Sequence, residues 1–290
     1  MQQQISSHDN VVKQIICMKW GDLYGAEYAN RLYAAVRLNT TGPLRFVCLT
    51  DDVTGLRSEI ETYPCPVIDI PEPWCNAGWR KLTLYLDSGS LYELTGDWLF
   101  LDLDVVVTGS LDPFFSYESE HPFVVMKNWT QPDKKIGNTS VFRFRMGEHQ
   151  YLLERLLQDF EEFRDRYKNS QTYVSREINS LKFWPDSWCA LFKVQCVPRW
   201  PRRIWAAPKL PPETKVVAFP GFPNPSDAML GNWPEKKWHK KIYKRIQPAQ
   251  WIDVYWAKAE ENLESGTGNG AADSAMARRL FQERKGYVPE

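Results

Sequence analysis

Residues 98–112 read WLFLDLDVVVTGSLD, an apolar run interrupted by two acids, Asp102 and Asp104. On a strand, side chains two residues apart point to the same side. A single strand over 98–107 would therefore hold both carboxylates side by side. Buried together they repel and lose hydration, which is costly without a counter-cation. A divalent metal ion or a Lys or Arg partner is expected beside them.

The flanking segments decide the architecture. VVKQIICMKW (11–20), LRFVCLTDD (44–52) and CPVIDI (65–70) read as strands ahead of the run. YGAEYANRLYAAVRLN (24–39) places Tyr28, Leu32 and Ala35/Val36 on one helical face, with Arg31 and Arg37 elsewhere. GWRKLTLYLDS (78–88) also reads as helical. Strands alternating with helices at this spacing predict an α/β fold, a mainly parallel sheet flanked by helices. Ligands of such sheets gather at the carboxyl ends of the strands, where Lys19, Asp51, Asp52, Asp102 and Asp104 fall.

Beyond the run, PFVVMKN (122–128), NTSVFRFRMG (138–147), FKVQCVP (192–198) and KVVAFPG (215–221) read as further strands. YLLERLLQDFEEFRDRY (151–167) reads as one polar helix. The Pro-rich stretch 198–225 is expected to be mostly loop, because proline lacks the ladder amide. ESGTGNGAADS (264–274) has the composition of a flexible linker, followed by a short charged helix, AMARRLFQERKG (275–286). There are no internal repeats. The expected division is a catalytic domain over 1–225 and a basic, aromatic extension over 226–290.

Composition narrows the function classes. Lys plus Arg and Asp plus Glu are both 36, so net charge gives no hint of a nucleic-acid partner. Thirteen Trp and thirteen Tyr would suit sugar or base stacking, although most are expected to fill core. The six cysteines form no CxxC pair or zinc-like spacing. MQQQISSHDN at the start lacks the apolar core of a signal peptide, and no segment reaches the roughly 18 apolar residues of a membrane span. A reducing, cytoplasmic setting is expected.

Three readings of the acidic pair compete. In one, Asp102 and Asp104 hold Mg²⁺ or Mn²⁺ against the diphosphate of a nucleotide-sugar. In another, the run is a phosphatase motif of haloacid-dehalogenase type, with Asp102 as nucleophile, Asp104 as acid/base and Val106 at the last position. In the third, the pair is structural and salt-bridged. The phosphatase motif normally opens its fold, whereas two or more strand–helix units precede Asp102 here. A nucleotide-binding βαβ half followed by the acidic pair matches the order observed.

MKWGDLYGAEYANRLYAAVR, RFVCLTDD, GWRKLTLYL, LFLDLDVVVTGSLDPFF and GNTSVFRF, in that order, resemble successive blocks of bacterial GT-A glycosyltransferases of the family-8-like kind. The resemblance spans roughly residues 11 to 225. It implies transfer of a sugar from a nucleoside-diphosphate donor, with UDP as the expected nucleotide, to a glycan or lipid-linked acceptor with retained configuration. It further implies that Asp102 and Asp104 bind the metal, Asp102 also lying near the ribose. Lys19, Trp20, Lys81, Asn138, Ser140 and Gly221 would line the donor, Lys81 being otherwise a solvated helix lysine. Gln171, in SQTYVS (170–175), would sit beneath the transferred sugar beside Asn138; the alternative there is a helix capped by Ser170. Ser170 and Trp188 are the acceptor-side candidates, a core tryptophan being the alternative for Trp188.

The chain also departs from the family. Phe219-Pro220-Gly221 stands where many relatives read Phe-His-Gly with a metal-binding His. Pro223-Asn224-Pro225 replaces Pro-Lys-Pro, and Ser170 replaces the Asp of Asp-Gln. These losses leave a catalytically weak nucleotide- or sugar-binding homologue as the alternative. A last expectation concerns residues 232–256, where Lys236, Lys237, Lys240, Lys241, Lys244 and Arg245 are interleaved with or followed by Trp233, Trp238, Tyr243, Trp251, Tyr255 and Trp256. That segment reads either as a helix docked on the body or as a peripheral contact with the inner face of the plasma membrane.

Overall fold

The computed structural model describes residues 11–235, 237 and 243–265. Its main sheet has seven strands in the order β3-β2-β1-β4-β7-β6-β8. These are β1 (Lys13–Lys19), β2 (Leu44–Thr50), β3 (Glu61–Pro64), β4 (Asp97–Leu101), β6 (Phe123–Lys127), β7 (Gly137–Arg145) and β8 (Lys182–Phe183). From β3 to β4 neighbours run parallel; β7 is antiparallel to β4 and β6, and β8 is parallel to β6. A second sheet orders β5 (Val105–Val107), β10 (Val216–Ala218) and β9 (Cys189–Leu191).

The expected α/β class with a mostly parallel central sheet is therefore what folds. β1 explains why its sequence is continuously apolar. Ile15 and Cys17 pack on one face of the sheet with Ala29, Leu32 and Val36 of α1 (Ala26–Leu38). Ile16 and Met18 pack on the other with Leu82, Leu84 and Tyr85 of the 3₁₀ helix Gly78–Tyr85. Both faces of a parallel strand are covered, so alternation disappears. α1 stops at Asn39, whose backbone and side-chain amides bond the carbonyl of Ala35. Arg37, expected off the apolar face, is in fact buried.

Several sequence expectations need correction. The run 98–107 is two strands in two sheets. β4 ends at Leu101, paired with Val141 of β7, and β5 starts at Val105, paired with Ala218 of β10. Asp102-Leu103-Asp104 is the turn between them. The third strand precedes CPVIDI and lies at Glu61–Pro64, since Pro66 has no amide to extend the ladder. Beyond the short α2 (Asp112–Ser116), residues 151–167 form α3 (Gln150–Gln158) and α4 (Phe160–Tyr167), separated by Asp159, whose carboxylate accepts the Glu162 amide at 3.0 Å. FKVQCVP is no strand. Phe192–Cys196 is a π-helical turn, pinned because Gln195 Oε1 accepts the Leu191 amide at 2.7 Å.

The described part of the chain after residue 225 packs on the body. α6 (Pro225–Met229) and α7 (Trp251–Ser265) close a third core in which Ile252 and Trp256 meet Val106, Phe192 and Phe219. Trp256 is buried edge-on to Tyr28 and beneath Arg31, and Trp251 faces Phe192. Trp233 lies under the Arg203 and Lys244 cations. These aromatics serve packing, as in the docked-helix reading. Lys236, Trp238, His239, Lys240 and Lys241, most of the linker 264–274 and the helix expected at 275–286 lie outside the described residues.

Candidate functional site

At the carboxyl ends of β1 and β4 the chain leaves a cleft of about 490 Å³. Its walls come from the β1–α1 loop (Trp20 to Tyr24), Asn76 to Gly78, Lys81, the 102–104 turn and Gly221. The turn is held from behind by β7. The Asp102 amide donates to the Ser140 carbonyl at 2.9 Å, and the Ser140 amide donates to Asn138 Oδ1 at 2.9 Å. Asn138 and Ser140 are both buried and support the turn from below.

The two carboxylates differ in environment. Lys81 Nζ lies 2.6 Å from the Asp102 carboxylate and donates to the Thr139 carbonyl at 3.2 Å. Both partners are largely withdrawn from solvent, with 15% and 18% of their side chains exposed. Asp104 is 8% exposed and accepts a hydrogen bond from the Tyr24 hydroxyl at 3.0 Å. Burial first, and the neighbouring Asp102 charge second, push the Asp104 carboxyl up to about 7, against the opposing pull of Lys81. The counter-cation expected from sequence is thus present at Asp102, and among the described residues no cation pairs with Asp104.

Whether a divalent ion fits follows from this donor set. Among the described residues no group of three or more His, Cys, Asp or Glu converges on a metal position. Mg²⁺ commonly takes one or two carboxylates and completes its shell with substrate phosphates and water. A buried carboxylate short of positive charge, beside a second one, fits an ion brought in with a diphosphate.

The loop that follows β10 forms the far wall. The Phe219 amide donates to the Asp104 carbonyl at 3.2 Å, tying the loop to the turn. Asn224 is a helix cap: its side chain accepts the Asp227 amide at 2.8 Å, and Asp227 returns a bond to the Asn224 amide. Lys193, on the π-helical turn, donates to the Pro220 carbonyl. Burial, reinforced by the Lys244 charge, lowers its pKa, while Asp104 acts in the opposite sense.

The other expected residues are distributed unevenly. Lys19 is buried, its ammonium 3.3 Å from the Asp52 carbonyl. Trp20 lines the cleft and donates through Nε1 to the Asn76 carbonyl. Ser170 is buried, with Oγ 3.2 Å from where a Cβ on Gly78 would lie, so it backs the wall. It is not the cap of α5 (Ser170–Glu177): Asn169 is, accepting the Thr172 amide at 2.9 Å. Gln171 is the second residue of α5 and does not line the cleft. Trp188 packs among Phe114, Tyr117 and Trp184, also outside the cleft walls. Sequence reading missed Tyr24, Asn76 and Lys193. Tyr24 stood inside a recognised block with no pattern to single it out, and Lys193 lay in a run read as strand.

No family model matches the chain, and no curated protein matches its sequence. Solved structures do match its fold. The structure of the galactosyltransferase LgtC in complex with donor and acceptor sugar analogs aligns with a TM-score of 0.52 at 13% identity, over 84% of this chain and 95% of LgtC. The apo-form glycosyltransferase GlyE of Streptococcus pneumoniae TIGR4 aligns with a TM-score of 0.53 at 13% identity, over 88% of this chain. The chain spans 64% of the length of that GlyE structure. At such identities the likeness concerns architecture, and the architecture of this chain is the GT-A fold.

Proposed function

We propose that this protein is a glycosyltransferase that moves a sugar from a nucleoside-diphosphate donor, UDP-linked, to a saccharide or lipid-linked acceptor with retention of configuration. The observation that carries the reading is the Lys81–Asp102–Asp104 cluster at the strand ends of a GT-A fold, inside a cleft of ligand-binding size. Trp20 and Lys81 meet the nucleotide and its phosphates, with Lys19 behind them. Asp102 reaches towards the ribose, and Asn138, Ser140 and Gly221 shape the pocket for the donor sugar. On this reading Gln171 and Asn138 act on the transferred sugar from behind the cleft walls, and Ser170 and Trp188 lie towards the acceptor side without lining the cleft.

Mn²⁺ or Mg²⁺ at Asp102 and Asp104 would supply Lewis-acid stabilisation of the leaving diphosphate. The chain itself places the Lys81 charge in the same region, where negative charge develops. Among the described residues the cleft walls carry no carboxylate besides Asp22, Asp102 and Asp104; attack of the acceptor on the face of the departing diphosphate is our working mechanism. The phosphatase alternative expects its acidic motif at the opening of the fold, whereas β1, α1, β2 and β3 precede this turn.

A thermal-shift panel of nucleoside diphosphates and nucleotide-sugars, with Mn²⁺ or with EDTA, tests the reading. A UDP-type ligand should raise the Tm of the wild type, and Asp104→Asn should remove the Mn²⁺-dependent part of that rise. No stabilisation by any nucleotide would reject it. Pro220 and Asn224 favour the second reading, a binding protein with weak turnover. Sugar release and transfer assays separate the two once a ligand is known.

No helix among the described residues is long and apolar enough to cross a membrane. Peripheral contact of the 232–256 segment with an anionic leaflet remains part of our reading. Its remaining support is the basic sequence there, each Lys or Arg being worth about 1 kcal/mol near such a surface. Salt-sensitive co-sedimentation with anionic liposomes should be lost on changing Lys236, Lys237, Lys240 and Lys241 to Glu.

A further inference from the structure

The 219–224 loop carries no basic side chain, yet a lysine from another element stands against it. Asn224 has a task of its own, capping α6, and so offers no charge to the cleft. On the other side of the loop, Lys193 projects from the turn after β9 and bonds the carbonyl of Pro220. The next residue, Gly221, lines the cleft. A Cβ at Gly221 would lie 3.9 Å from the Lys193 ammonium, so the cation stands close behind the Gly221 backbone, with no Gly221 side chain to fill the gap. Gly221 also has φ +70°, the left-handed conformation that L side chains avoid, which keeps the gap open.

The charge on Lys193 is poorly compensated. It is partly buried, and among the described residues no carboxylate lies within ion-pairing distance of it. Its long-range neighbours are Lys244, of like charge, and Asp104. A half-desolvated ammonium in that position raises the cost of folding unless an anion approaches. Lys193 does not itself line the cleft; the cleft begins beyond Gly221, and that is where two phosphate groups would need neutralising.

We propose that Lys193 is the diphosphate-neutralising residue of this donor site, acting across Gly221 in place of the basic side chain missing at position 224. The inference rests on the nucleotide-sugar reading and assigns to one residue the discrimination between diphosphate and monophosphate. Lys81 is already engaged by Asp102 and carries less of that burden.

The test is calorimetric titration of UDP and UMP, with GDP and ADP alongside, in EDTA, against wild type, Lys193→Met and Lys193→Arg. Wild type should bind UDP more tightly than UMP. Lys193→Met should weaken UDP by roughly tenfold, the scale of one charge-assisted hydrogen bond, and leave UMP within about twofold. Lys193→Arg should keep most of the preference. Equal weakening of both ligands, or of neither, overturns the role of Lys193 and leaves the donor reading standing. Failure of the wild type to bind any nucleoside diphosphate, in EDTA or with Mn²⁺, overturns both. If Lys193→Met does not fold, lysine side-chain NMR of the wild type decides. The Lys193 resonance, identified by its loss in Lys193→Arg, should move with UDP and not with UMP, and a resonance indifferent to UDP overturns the proposal.

Discussion

Replacing Lys81 with methionine would separate the structural role of the acidic turn from its ligand-binding role. The substitution keeps the length of the side chain and its packing near Phe100, whose ring centre lies 5.2 Å from the ammonium. It removes the cation 2.6 Å from the Asp102 carboxylate and the bond to the Thr139 carbonyl. Breaking a fully buried pair costs about 3–5 kcal/mol, because a charge is left unpaired. Asp102 borders an open cleft that water can enter, so about 2–3 kcal/mol is the expected loss here. For a chain of this size that corresponds to a Tm lower by roughly 4–12 °C. Differential scanning calorimetry in EDTA reads the loss directly. Mn²⁺ should then restore the variant more than it raises the wild type, since a cation bound at 100 times its Kd contributes about 2.7 kcal/mol. A Tm within about 2 °C of wild type in EDTA, the mark of a sub-kilocalorie effect, would refute the view that Lys81 compensates the turn.

Other consequences can be checked independently. Arg143 is 1% exposed and donates to the carbonyls of Phe114, Tyr117, Glu118 and His121. Arg143→Met leaves the carbonyls of Phe114, Tyr117 and His121 without this donor, the Glu118 carbonyl keeping the His121 amide, and should cost roughly 3 kcal/mol or more in denaturant unfolding; a loss near zero would mean that water replaces the guanidinium. Gly137→Ala sets a Cβ 2.6 Å from Val125 Cγ1 in a packed sheet, so a destabilisation of about 1–3 kcal/mol is expected from overpacking. An unchanged Tm would show that β6 yields at the shift in its pairing with β7 between Val125 and Met126. Pro220→His adds a metal-binding side chain beside the acidic turn, and Mn²⁺ affinity measured calorimetrically with nucleotide present should tighten. Unchanged affinity with intact folding would place that loop away from the ion.

Much of the architecture was legible in the chain because burial on both faces imposes it locally. The apolar runs of β1, β2 and β4, the helical spacing of Tyr28, Leu32 and Val36 in α1, and the acids at strand ends each reflect neighbours close in sequence or a generic sheet environment. The acidic pair announced that a counter-cation was needed, since two buried carboxylates carry that cost in any fold.

The tertiary structure alone decided which cation answers and how the turn is built. Lys81 reaches Asp102 from 21 positions away, and Tyr24 reaches Asp104 from 80, pairings that no local period encodes. The apolar run splits because Leu101 and Val105 find antiparallel partners in different sheets, Val141 and Ala218, both far along the chain. Lys193 reads as a strand residue until Gln195 claims the Leu191 amide and turns the backbone towards Pro220. Local sequence specifies what each segment must bury. Which distant side chain satisfies each buried charge is set when long-range packing brings the segments together, because ion pairing and hydrogen bonding are contacts in space rather than periods in sequence.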